Sequence, residues 1–139
     1  MKDLNKYFDS KILKKLKGSS CLVTGGSGMI GREVVRLLNL AGARVTSISL
    51  DKLKIQKGVK YVYGDLTDFN FCKKICKNKK FLFHIAGIKG SIVTTKKRPA
   101  SFFVPLLMMN TNILEASRLN KVKNIIYTSS IGAYNSAKI

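Results

Sequence analysis

Acidic side chains are scarce in this sequence: 7 Asp and Glu stand against 26 Lys and Arg, a formal charge of +19 over 139 residues. A balance of that sign often accompanies nucleic acid or an anionic membrane. The lysines, however, are dispersed over 11–17, 52–60, 73–80 and 121–123, with no arginine-rich tract and no basic stripe interleaved with aromatics. They read as solvated surface, balanced by an acidic region or subunit elsewhere, and a nucleic-acid partner is not expected. Histidine occurs once, at His84, and cysteine three times, at 21, 72 and 76. An odd cysteine count argues for reduced thiols rather than a disulfide frame. Cys72 and Cys76 have helical spacing, but no histidine or second cysteine pair accompanies them, so no metal site is expected. No apolar run approaches the ~18 residues of a membrane span. The N-terminus MKDLNKYFDSKILKKLKG lacks the apolar core and cleavage site of a signal peptide. It also carries Asp3 and Asp9, against an organellar transit peptide. A cytoplasmic location is the expectation.

What is present is an alternation of short apolar runs with helical periods. An amphipathic lead-in over 1–18 (Leu4, Tyr7, Phe8, Ile12, Leu16) precedes a buried strand at Ser20–Thr24. Apolar positions at Val34, Val35, Leu37, Leu38 and Ala41 predict a helix over 32–41, with Gly42 at its C-terminal cap. Strands follow at 44–50 and 59–63, then a short helix over 69–77 that Asp68 would cap, then a strand over 81–85. Both prolines, Pro99 and Pro105, are assigned to a loop before a long apolar helix at 106–119, and 124–128 closes the pattern as a fifth strand. Strands alternating with helices imply an α/β fold: a doubly wound parallel sheet of Rossmann type with helices on both faces. The expected organisation is a domain over 19–139 that stops after about the fifth strand, a C-terminal substrate domain being absent.

The glycine turn after the first strand carries the chemistry. Gly25, Gly28 and Gly31 recur every third residue between strand and helix. The first makes a tight turn, the second lets a pyrophosphate approach the backbone, and the third lets the helix pack on the strand. The helix N-terminus then offers amide groups and a positive dipole end to phosphate.

Thr24-Gly-Gly-x-Gly-x-x-Gly31 resembles the cofactor loop of the extended short-chain dehydrogenase/reductases, the branch holding NAD-dependent nucleotide-sugar epimerases and dehydratases. Three further segments match in order. Gly64-Asp65-Leu66-Thr67-Asp68 resembles the loop after the third strand, where the aspartate reaches the adenine. His84-Ile-Ala-Gly-Ile-Lys89 is similar to the segment of UDP-glucose 4-epimerases that packs along the dinucleotide. Tyr127-Thr-Ser-Ser-Ile-Gly-Ala-Tyr134 resembles the end of the fifth strand, where a catalytic serine precedes a tyrosine by four. The segment 99–116 is also similar to GDP-fucose synthases. The resemblance covers residues 19–136.

It implies NAD or NADP as cofactor, held by Gly25, Gly28, Met29, Ile30, Gly31, Asp65, Leu66, Ile85, Ala86, Gly87 and Lys89, with Ser130 as the catalytic residue. His84 is read as a strand-end packing residue. The acidic residue that would hold the adenosine ribose falls on Ser49, with Asp51 two positions later beside Lys52 and Lys54, which leaves NADP open. Leu106 stands where the family has an asparagine. Tyr134 and Lys138 have Tyr-x-x-x-Lys spacing, but Tyr134 follows Ser130 too closely and matches the family's other, non-catalytic tyrosine. The implied function is an NAD(P)-dependent epimerase or dehydratase of a nucleotide sugar, here its dinucleotide-binding portion, inactive by itself. The alternative is a non-catalytic dinucleotide-binding or regulatory module. A homodimer is expected only of a longer chain.

Overall fold

A computed structural model describes residues 9–88 and 90–129. β1 (Ser20–Thr24), β2 (Arg44–Ser49), β3 (Lys60–Tyr63), β4 (Phe81–His84) and β5 (Asn124–Tyr127) form one parallel sheet in the order β3-β2-β1-β4-β5. β1 lies centrally, paired with β2 from Ser20↔Arg44 to Thr24↔Ile48 and with β4 from Cys21↔Phe81 to Thr24↔His84. The sequence wraps outward in both directions from β1, so the chain ends of β1 and β4 part at a switch point, where such sheets bind ligands. This is the Rossmann arrangement expected from the alternation of strands and helices.

Two apolar clusters sandwich the sheet. On one face α1 (Ser10–Leu16) and α2 (Met29–Leu40) contribute Leu16, Val35 and Leu38, which pack with Cys21, Val23 and Val45. On the other, α3 (Phe69–Cys76) and α5 (Pro99–Leu119) bring Cys72, Ile75, Ile113 and Ala116 against Leu22, Ile48 and Leu82. Successive residues of β1 point to opposite faces, so Cys21 and Val23 serve one cluster and Leu22 the other. Coverage on both faces stops at β5, whose four residues are all exposed; no described element pairs with its outer edge.

Two expectations are corrected. The helix after the glycine turn starts at Met29, three residues before its expected start at 32, with Gly28 as its N-cap. The proline segment is helical rather than a loop: α4 (Ile92–Lys97) precedes α5, which begins at Pro99. Proline suits a first helical position because its missing N–H would have no intrahelical acceptor there. Pro105 lies inside α5; the carbonyl four residues back, which loses its bond, belongs to exposed Ser101 and is open to solvent. The remaining caps follow the sequence: Asp68 accepts from the Asn70 and Phe71 amides, and Gly42 takes φ +77° just past α2.

Candidate functional site

A cleft of about 530 Å³ opens at the carboxyl ends of β1, β2, β3 and β4. Gly25, Gly28, Met29, Ile30, Gly31, Asp65, Leu66, Ile85, Ala86 and Gly87 all line it. Lys89, Ser130, Tyr134 and Lys138 lie outside the described residues. Lining residues that the sequence left without a role are Ser27, Ile48, Leu50 and Met109, with Gly64, Ile88, Thr128 and Ser129 from within the matched segments, while Ser49 and Asp51 also face the cleft.

The three glycines differ in what they spare. Gly25 has φ +70°, and a Cβ there would come within 2.7 Å of the Ala86 Cα, so the turn rests directly on the exit of β4. A Cβ on Gly31 would overlap the Gly25 carbonyl oxygen. Its bareness thus lets α2 pack on the turn, not on the strand as expected. Gly28 is different: a Cβ would meet only the Gly25 oxygen, at 3.3 Å, and Gly87 has nothing within 4 Å. Those two bare backbones border open cleft, which is the space an approaching ligand needs. α2 has no side-chain cap, so its first-turn amides are left for a ligand or water. Twelve residues of aligned peptide dipoles favour an anion at that end.

The walls are polar at one end and apolar elsewhere. Ser27 donates to Asp51 Oδ2 at 3.1 Å, tying the glycine turn to the loop after β2. Ser49 Oγ donates to the Asp51 carbonyl at 2.8 Å, turning its hydroxyl into that loop. Asp65 Oδ1 accepts from the Thr67 amide at 2.8 Å, fixing the turn after β3. Met29 and Ile30 are exposed at the mouth, a wet position for large apolar groups unless a ligand covers them.

Below the cleft floor lies a polar chain that crosses four elements. His84 is fully buried. Its Nδ1 lies 2.6 Å from Thr24 Oγ1 and its Nε2 2.8 Å from Asn110 Oδ1. Asn110 donates onward to the Tyr127 hydroxyl at 3.2 Å, and Thr24 Oγ1 accepts from the Ile85 and Ala86 amides at 3.2 and 3.4 Å. Burial pushes the imidazole below its usual 6.5, while the Asn110 hydrogen bond pushes back. His84 is therefore a strand-end residue, as read, but a hydrogen-bonded one. Leu106 packs against the core, and the asparagines of α5 that do polar work are Asn110 and Asn112, the latter donating to the Leu66 and Thr67 carbonyls at 3.1 and 2.8 Å. The three cysteines are buried and unpaired. Burial raises Cys21 to about 11 and Cys72 to about 12, which holds both as thiols. Among the described residues no three His, Cys, Asp or Glu side chains gather as a metal site would require, and no helix is long and apolar enough to cross a membrane.

Fold and cleft define a class: a parallel α/β domain with a glycine-turn ligand site at the switch point of its sheet. Residues 21–139 match the model of the NAD dependent epimerase/dehydratase family. The chain belongs to that family, and its cofactor class is accordingly NAD or NADP. It is similar to a 2-alkyl-3-oxoalkanoate reductase of Shewanella oneidensis, with 28% identity over 82% of this chain and 29% of the relative. It is similar at 28% identity to a UDP-glucose 4-epimerase of Yersinia enterocolitica, over 83% of this chain and 38% of that one. Among solved structures, an epimerase of Methanothermobacter thermautotrophicus superposes with TM-score 0.80 at 23% identity, over 91% of this chain and 40% of the other. The chain thus spans roughly a third of the length of the curated relatives it matches.

Proposed function

We propose that these residues are the dinucleotide-binding portion of an NAD(P)-dependent enzyme that epimerises or dehydrates a nucleotide sugar. The observation that carries the reading is the pair of bare backbones, Gly28 and Gly87, facing open cleft beside the uncapped start of α2. The first-turn amides of α2 would hold the pyrophosphate, and the absent side chain at Gly28 gives it room. Asp65 would accept from the adenine amino group with the carboxylate oxygen that does not cap Thr67. Met29 and Ile30 would lie along the dinucleotide, covering apolar surface that is otherwise wet. Ile85, Ala86 and Gly87 form the opposite wall, and Lys89 would donate to a ribose hydroxyl or phosphate. When bound, the nicotinamide supplies a hydride acceptor at C4. Ser130 would hydrogen-bond the sugar oxygen that loses its proton, so that the reacting carbon is held in place.

The substrate side rests on the likeness to nucleotide-sugar enzymes; the reductase relative, by its name, acts on a different compound class. The test is turnover of UDP-, GDP- and dTDP-sugars with NAD or NADP. The polypeptide 1–139 alone is expected to bind cofactor and leave the sugars unchanged, because Tyr134 is four residues from Ser130 and matches the non-catalytic tyrosine. An acid–base group contributes about 10²–10⁴-fold, and its loss alone drops turnover steeply. Turnover by this polypeptide that Tyr134→Phe abolishes would make Tyr134 and Lys138 the working pair. Turnover confined to 2-alkyl-3-oxoacids would overturn the sugar assignment.

A further inference from the structure

We propose that His84 is a positioning residue for the dinucleotide cleft, holding its Ile85–Ala86 wall through the Thr24 hydroxyl, and that protonating the imidazole releases that wall. The inference rests on the dinucleotide reading of the cleft and adds to it a residue that touches no cofactor.

Proton bookkeeping along the chain gives the argument. Asn110 Oδ1 has no hydrogen, so Nε2 of His84 must be the donor in their 2.8 Å bond. The neutral imidazole then carries its lone pair on Nδ1, and the Thr24 hydroxyl hydrogen points to it across 2.6 Å. With its one hydrogen committed, Thr24 Oγ1 has two lone pairs left. Both are taken, by the Ile85 amide at 3.2 Å, which also reaches the Thr24 carbonyl at 3.3 Å, and by the Ala86 amide at 3.4 Å. Those amides belong to cleft-lining residues, and the Ala86 backbone is where the Gly25 turn rests. The imidazole thus sets the direction of a hydroxyl that both wall amides share.

A second proton breaks this arrangement. It can only sit on Nδ1, which then donates to Thr24 Oγ1. The hydroxyl would face three N–H donors with two lone pairs, so one amide must leave it: Ile85 keeps the Thr24 carbonyl, and the long Ala86 bond is the one that gives way. Among the described residues no charged group relieves the new charge. The imidazole's hydrogen-bond and ring partners among the described residues are Thr24 of β1, Asn110 of α5 and the Tyr127 ring of β5, its centroid 5.5 Å away. Of these only Tyr127 is titratable, and no charged side chain among the described residues contributes to the electrostatics at the imidazole. The cost of protonation falls on the wall.

The experiment uses the chain as it stands and two readouts. Calorimetric titration with NAD from pH 8 to pH 5.5 is expected to show affinity level down to the ordinary histidine value and severalfold lower by pH 5.5, because burial holds the imidazole below that value. His84→Asn places an amide oxygen near the Nδ1 position, accepts the Thr24 hydrogen and does not titrate. It should bind NAD within about threefold of the parent at pH 8 and hold that affinity to pH 5.5. Thr24→Ser should restore the parent profile, whereas Thr24→Val should bind weakly at every pH. In parallel, nitrogen-15 spectra of the single histidine should show an Nε2–H tautomer at pH 7, with Ile85 and Ala86 amide shifts following its titration. An affinity that is flat with pH in the parent, or an identical pH fall in His84→Asn, overturns the proposal. So does an Nδ1–H tautomer, which needs no binding and no variant to detect. Absence of NAD binding at pH 8 would sink the dinucleotide reading instead, leaving the spectra to decide the His84–Thr24 link.

Discussion

Ser49 and Asp51 divide between them the end of β2 that faces the cleft, and the division gives a prediction for cofactor choice. Ser49 spends its hydroxyl on the Asp51 carbonyl, and Asp51 spends one carboxylate oxygen on Ser27. No carboxylate therefore stands at position 49 itself to repel a 2′-phosphate. NADP is expected to bind no worse than NAD by more than about tenfold, or ~1.4 kcal/mol. Ser49→Asp should shift preference toward NAD, as read by calorimetry with both nucleotides. A strong NAD preference in the parent would instead put the second oxygen of Asp51 on the ribose.

Single elements show how far the amino-acid pattern reaches. The apolar run of Ser20–Thr24 coincides with β1, and Asp68 caps α3 as its position before Phe69 implies. The start of α2 escaped because its N-cap is Gly28, not a Ser, Thr, Asp or Asn, and so looks like more loop. The start of α5 escaped because two prolines read as breakers, although Pro99 occupies a first-turn site that needs no N–H donor. In the cleft, the glycines were legible since their spacing is local. The His84 chain was not: its bonds join residues 60, 26 and 17 positions apart. One signal was present. Asn110 falls on the stripe of Met109, Ile113 and Ala116, and a polar residue on a buried stripe needs a partner.

The same elements separate the glycines by function. Gly31→Val would drive a side chain into the backbone of the Gly25 turn, two rigid segments with no rotamer to yield. Thermal or denaturant unfolding should show a loss of ~3 kcal/mol, near the upper end for overpacking. Retention of parental stability would mean that α2 and the turn separate more easily than their contact implies.

At the scale of the whole molecule, charge is distributed unevenly. Three of the carboxylates, Asp51, Asp65 and Asp68, lie in loops beyond strand ends or at the start of α3. Glu33 and Glu115 are held by arginines within their own helices, and these are the two ion pairs among the described residues. Cations stand at both edges: Lys52 and Lys54 follow Asp51, while at the edge where strands begin Arg44 opens β2, Lys60 opens β3 and Lys80 precedes β4. Lys79 shows the consequence, its ammonium pushed below the ordinary lysine value by burial and then by Lys60 nearby. Self-repulsion of this kind is screened by salt. Raising NaCl from about 20 to 500 mM, where the Debye length shrinks severalfold, should increase the melting temperature by a few degrees, each kcal/mol being worth about 2–8 °C at domain size. A melting temperature that falls with salt would show that attractive pairs dominate the surface.

That charge is also favourable for a dinucleotide, but the central claim is local: the pyrophosphate sits in the space left bare at Gly28. The most direct measurement is calorimetric titration of NAD into the chain and into Gly28→Val, with unfolding of both followed alongside. A Cβ at 28 meets only one atom, at 3.3 Å, and φ there is −69°. The variant should therefore fold, losing ~1 kcal/mol at the helix cap, and bind NAD at least a hundredfold more weakly. Parental affinity in a folded Gly28→Val would contradict the account, since the ligand would then be held somewhere other than against the glycine turn.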